Sequence, residues 1–139
     1  MNEKNEVPPL LGNIAACGFP SPSEQYVESP LDLNQLLVKN PAATYFVRVS
    51  GDSMTGAGIH SGDILVVDRS LDAADGDIVI ACLDNEFTVK YFRRDCRGIR
   101  LEPANRNYPV IILEGEQELR LFGVVTSCIK QFKKNGTKK

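Results

Sequence analysis

From Pro41 onward the chain is a succession of short apolar runs separated by Gly and Asp turns. Thr44–Val49 reads as a first strand, and Ile64–Val67 follows a Ser61-Gly62-Asp63 turn. Asp77–Leu83 follows Asp75-Gly76, and Glu86–Arg93 follows Asp84-Asn85, a hairpin signal. Ile99–Glu102 and Val110–Leu113 are shorter. Leu119–Ile129 is the longest, with Gly123 expected as a bend or bulge. About seven strands at this spacing predict a compact, mostly β, antiparallel-rich domain. Helix is expected once, from Asp32 to Lys39. Asp32 suits an N-cap, Leu33, Leu36 and Leu37 recur at i, i+3, i+4, and Asn40-Pro41 stops the helix.

The first 30 residues differ in kind. They hold five of the chain's eight prolines and only short apolar patches, Leu10-Leu11 and Ile14-Ala15-Ala16. Residues 1–30 therefore read as an extended, flexible arm, 31–130 as the β domain and 131–139 as a basic tail. With 139 residues there is room for one such domain, not two.

Charge narrows the function classes. The net charge is −2, but Lys130, Lys133, Lys134, Lys138 and Lys139 lie in the last ten residues. Setting those five aside from the 16 basic residues leaves 11 against 18 acids. An acidic body argues against direct, charge-driven or sequence-specific DNA binding, and a short lysine-rich end ordinarily just meets water. No apolar run approaches the roughly 18 residues that span a bilayer. The charged start lacks the apolar core of a secretory signal, so no membrane contact and a cytoplasmic location are expected. Cys17, Cys82, Cys96 and Cys128 form no CxxC pair, and the single His60 is near none of them in sequence. No metal or other cofactor is expected, and Cys82 and Cys128, in apolar runs, read as core thiols.

Two residues break the apolar pattern. Ser53 sits in Gly51-Asp52-Ser53-Met54, directly after the first strand. A serine beside glycine is ordinarily a turn former, but here another chain segment can approach closely, with the N–H groups of Asp52 and Ser53 available to an oxyanion. Lys90 lies inside Phe87-Thr88-Val89-Lys90-Tyr91-Phe92, where alternation puts Thr88, Lys90 and Phe92 on one face. Most strand lysines face water. A lysine shielded from water loses its proton more easily, and neutral lysine accepts a proton from a serine hydroxyl. Thr88 is placed to orient the amine. His60 is the competing base, and Asp63 and Asp68 the acids near it, but all three read as turn or strand-end residues.

Four blocks taken together resemble the peptidase domain of the LexA/UmuD family: Val49–Met54, Gly62–Asp68, Gly76–Ile80 and Phe87–Lys90. The 37-residue interval from Ser53 to Lys90 matches. Ala16-Cys17-Gly18-Phe19-Pro20 resembles the cleavage region of UmuD proteins, and Cys17 lies 36 residues before Ser53. The resemblance covers about residues 15–130. LexA and phage repressors add a helix-turn-helix unit, which the proline-rich start does not fit, and signal peptidases add a membrane anchor.

The resemblance implies self-cleavage between Cys17 and Gly18, with Ser53 as nucleophile, Lys90 as general base, and Asp52 and Thr88 in oxyanion and orienting roles. It also implies a homodimer, stimulation by a RecA filament on single-stranded DNA, and service of the trimmed form to a UmuC-type Y-family polymerase in translesion synthesis. The alternatives are a non-catalytic β module that regulates a polymerase and, less favoured, a free-standing protease acting on other proteins.

Overall fold

In the computed structural model, residues 7–11, 27–113 and 119–133 are described. The chain divides into two compact units, Met1–Lys39 and Asn40–Lys139.

Within the first unit, β1 (Pro9–Leu11) pairs antiparallel with β2 (Val27–Pro30). The sequence reading expects an extended arm over residues 1–30. Proline lacks an N–H but keeps its carbonyl, so it fits the end of a two-stranded ribbon. Pro9 and Pro30 face each other at such an end, and the Pro8 carbonyl accepts the Leu31 N–H at 2.9 Å. The helix α1 (Leu33–Leu37) starts where expected. The Asp32 carboxylate accepts the Asn34 N–H at 3.0 Å as its N-cap. It is shorter than the Asp32–Lys39 reading and buries none of its residues.

The second unit is built on one seven-stranded antiparallel sheet. Its strands are β3 (Thr44–Arg48), β4 (Ile64–Asp68), β5 (Ile78–Leu83), β6 (Glu86–Asp95), β7 (Gly98–Glu102), β8 (Ile111–Ile112) and β9 (Leu119–Ile129). They lie in the order β3-β4-β9-β5-β6-β7-β8. The mostly β, antiparallel domain expected from the sequence is therefore present. β4 and β5 run near the middle and are buried almost throughout, as strands covered on both faces must be. Asp84 and Asn85 both take positive φ, 53° and 69°, which makes the tight β5–β6 hairpin.

Two buried clusters fill the unit. Met54, Ile59, Leu65, Val67 and Ile80 form one, and Val79, Ala81, Phe92, Leu101 and Val124 the other. Val79 and Ala81 go to one cluster and Ile80 to the other, as a period of two requires. Full burial of each Val or Leu is worth about 1.5–3 kcal/mol.

β9 carries two register shifts. Opposite β5 the pairing passes from Ala81↔Leu121 to Ile80↔Gly123, so Phe122 is the extra residue. Opposite β4 it passes from Val66↔Ser127 to Val67↔Val125, so Thr126 is extra. Gly123 thus lies beside a bulge, and its need for glycine is steric. A Cβ there would lie 2.6 Å from Val67 Cγ1.

Cys82 is buried as expected, but Cys128 is exposed. Cys128 stands near the end of β9, beside the His60–Asp63 turn, and its thiol donates to Asp63 Oδ2 at 3.5 Å. Among the described residues, no helix is long and apolar enough to cross a membrane.

Candidate active site

Ser53 is set by the end of β3. Gly51 takes φ +97°, a left-handed conformation that lets the chain turn sharply before Asp52. Met54, next along, is 2% exposed and anchors the turn in the core. Thr55–Ala57 then forms one 3₁₀ turn. A Cβ at Gly56 would meet the Ala104 carbonyl oxygen at 2.5 Å, so this position requires glycine.

Lys90 is set by β6, opposite Val79 of β5. It is only 6% exposed. Its amine lies 3.1 Å from Ser53 Oγ, 2.5 Å from Thr88 Oγ1 and 3.2 Å from the Val89 carbonyl oxygen. All three partners are neutral, and Lys90 joins none of the ion pairs among the described residues. Burial without a counter-ion pushes the amine below the ordinary lysine range. Such an amine becomes available as a proton acceptor nearer neutral pH.

A cleft of about 210 Å³ opens beside Ser53. Val47, Val49 and Ser50 line one side and Phe87, Thr88 and Val89 the other. Its walls are the end of β3 and the start of β6, so an extended segment lying in it would pass the serine hydroxyl.

The fold therefore brings Ser53, Lys90 and Thr88 together. Asp52 is beside them, but its carboxylate accepts a hydrogen bond from the Tyr108 hydroxyl, which holds that phenol above its ordinary pKa. Cys17 and Gly18 lie outside the described residues. His60 is not part of this group. It is exposed, and its Nδ1 lies 3.1 Å from Lys130 Nζ. Asp63 and Asp68 do end turns and strands, as expected, but they are buried, at 8% and 4% exposure. Asp63 pairs with Lys130 and accepts the His60 N–H at 2.8 Å. Asp68 accepts from Ser70 and Asn40. Lys130, although exposed, is thus tied to the domain by its ion pair with Asp63.

Sequence reasoning missed the loop between β7 and β8. Asn105 Nδ2 donates to the Asp52 carbonyl at 2.8 Å, and the Ala104 N–H donates to the Ser53 carbonyl at 2.8 Å. The Gly56 N–H returns a bond to the Ala104 carbonyl at 2.6 Å. These contacts join residues about fifty positions apart, and no local pattern announces them.

Residues 9–126 match the family model described as Peptidase S24-like. The chain is 47% identical over 126 residues to Protein MucA of Salmonella typhimurium, covering 90% of this chain and 85% of that protein. It is 50% identical over 121 residues to Protein SamA of Salmonella typhimurium strain LT2, covering 87% and 84%. It is 39% identical over 124 residues to the LexA repressor of Geobacter sp. strain M21, covering 88% of this chain and 61% of the repressor. With a model match over most of its length and UmuD-like relatives this similar over most of theirs, the chain belongs to the peptidase S24-like family, among its UmuD-like members.

Proposed function

We propose that this chain is an autoproteolytic serine endopeptidase of the SOS mutagenesis response that cuts itself between Cys17 and Gly18. The observation that carries the reading is the buried Lys90 amine, free of any ion pair among the described residues, 3.1 Å from Ser53 Oγ. Neutral Lys90 takes the Ser53 hydroxyl proton as the oxygen attacks the Cys17 carbonyl carbon. The oxyanion is met by backbone N–H groups at Asp52 and Ser53. Lys90 then gives the proton to the Gly18 nitrogen as the peptide bond breaks, leaving Cys17 esterified to Ser53. Water, activated by the same amine, hydrolyses the ester. Thr88 Oγ1 orients the amine throughout. Gly18 has no Cβ to obstruct the approach.

The likeness to UmuD proteins supports the wider role: a homodimer whose cleavage is promoted by a RecA filament on single-stranded DNA, and whose trimmed form, residues 18–139, serves a UmuC-type Y-family polymerase. Stimulation is then a population shift toward the arrangement with the arm in the cleft.

Mass spectrometry of the intact protein, incubated at alkaline pH and with RecA, single-stranded DNA and nucleotide, tests the reading. Wild type yields a product starting at Gly18. Lys90→Ala slows this about 10²- to 10⁴-fold, the usual worth of a general base, and Ser53→Ala abolishes it. A Gly18 product from Ser53→Ala, or a wild-type chain that stays intact under both conditions, contradicts the peptidase assignment.

A further inference from the structure

The serine turn is held from outside by the 103–110 loop, which joins β7 to β8. The peptide group is planar and trans, so fixing a carbonyl also fixes the direction of the next N–H. Asn105 Nδ2 holds the Asp52 carbonyl, which sets the plane carrying the Ser53 N–H. The Ala104 N–H holds the Ser53 carbonyl, which sets the plane on the other side of the Ser53 Cα. With both planes fixed, the φ and ψ of Ser53 are fixed, and so is the direction in which its Cβ projects Oγ.

Three further contacts lock the loop against the turn. The Tyr108 hydroxyl donates to the Asp52 carboxylate, the Gly56 N–H donates to the Ala104 carbonyl, and Asn105 Nδ2 reaches Thr55 Oγ1 at 3.5 Å. The loop is itself stiffened: the Asn105 carbonyl accepts the Tyr108 N–H at 3.0 Å, and Asn105 Oδ1 accepts the Asn107 N–H at 2.9 Å. The carbonyls on both sides of Ser53 are therefore engaged. The N–H groups of Asp52, Ser53 and Met54 meet no acceptor among the described residues. A turn whose acceptors are tied and whose donors are open suits an incoming oxyanion.

We propose that Asn105 and Tyr108 are positioning residues that aim Ser53 at Lys90 and at the scissile carbonyl. This role rests on Ser53 being the nucleophile. Neither side chain touches the Lys90 amine, whose partners are Ser53, Thr88 and the Val89 carbonyl, so both act through the turn.

The test uses full-length wild type, Asn105→Ala, Tyr108→Phe and Ser53→Ala. The probe is a small fluorophosphonate, whose phosphorus takes the Ser53 oxygen as fluoride leaves. Labelling rate is read by intact mass across pH 7–11, with a thermal melt of each variant. Asn105→Ala is expected to label about ten- to a hundredfold more slowly, the cost of a misaimed reacting group. Its pH midpoint should move up, because a displaced serine turn opens Lys90 to water. Tyr108→Phe is expected to change both in the same direction by less. Loss of stability alone lowers the melt and leaves the midpoint in place, so a variant with a lowered melt and an unmoved midpoint overturns the positioning role. If Asn105→Ala does not fold, Tyr108→Phe, which loses one hydroxyl, decides by the same criteria. Wild-type rate and midpoint in the folded variants overturn the role while leaving Ser53 as nucleophile. Wild-type protein that takes no label at Ser53 overturns the nucleophile assignment, and this role with it.

Discussion

Lys90 and Asp63 are both buried ionisable side chains of the same sheet unit, at 6% and 8% exposure, and their surroundings are opposite. Asp63 has the Lys130 ammonium, the His60 N–H and the Cys128 thiol on it. The Lys130 hydrogen bond, followed by the His60 N–H, holds its carboxyl below the ordinary carboxylate range. Lys90 has two hydroxyls and a carbonyl and no acid, so desolvation pulls its amine down. A buried charge that serves the fold is given partners for its charged form, an ammonium at Asp63 and neutral donors at Asp68. One that must change protonation during a reaction is denied a counter-ion. Burial alone does not separate the two.

Giving Lys90 a counter-ion breaks the contrast most severely. Thr88→Glu puts a carboxylate beside the amine and stabilises its charged form. Each unit by which the lysine pKa rises removes about nine-tenths of the neutral amine well below that pKa. Self-cleavage at pH 8 is expected to fall about ten- to a hundredfold, with the pH–rate midpoint displaced upward. A rate profile unchanged from wild type would mean that the charge state of Lys90 does not govern the reaction.

Removing the counter-ion from Asp63 is the converse change. Lys130→Met is expected to cost about 1–2 kcal/mol of stability at neutral pH, read by denaturant unfolding. The folded carboxyl is depressed below its unfolded value, so this stabilisation is complete above the ordinary carboxylate range. It is lost as pH falls through the folded pKa. The gap between wild type and variant should therefore close in acid. A gap that persists there would assign the effect to lost packing.

Lys90→Met is expected to have the opposite sign and the smallest size, a gain of about 1 kcal/mol or less at neutral pH. With the folded amine depressed, the unfolded chain binds more protons between the two pKa values, so wild-type stability rises with pH through that window. The advantage of the variant should shrink as pH approaches the ordinary lysine value. A loss of stability on Lys90→Met would place Lys90 with Asp63, as a structural charge.

The contrast also shows what the sequence makes legible. Strand positions follow from period-two alternation and turn residues, which are local, and β3 to β9 all lie where that pattern puts them. Asp32 as a helix cap and Asp84-Asn85 as a hairpin turn are legible for the same reason. Ser53 and Lys90 stand out because each interrupts an apolar pattern at a spacing that the LexA/UmuD resemblance supplies. The β1–β2 ribbon was hidden because its prolines read as punctuation, although their carbonyls remain free to pair. Asp63 read as an ordinary turn residue because its partner, Lys130, is 67 positions away in what looked like a solvated tail. Asn105 and Tyr108 were hidden likewise, since the Asp52 groups they engage, more than fifty positions away, are brought near only by the folded sheet.

The central claim is that the buried Lys90 amine gives up its proton more readily than an ordinary lysine. The direct measurement is an NMR titration of the Lys90 Cε–Hε signals in Ser53→Ala, a chain that stays intact at alkaline pH, with Lys90→Met assigning the resonance. A midpoint clearly below the ordinary lysine value of about 10.4 is expected. A midpoint at or above that value would show a charged Lys90 beside Ser53 and would contradict its role as the base.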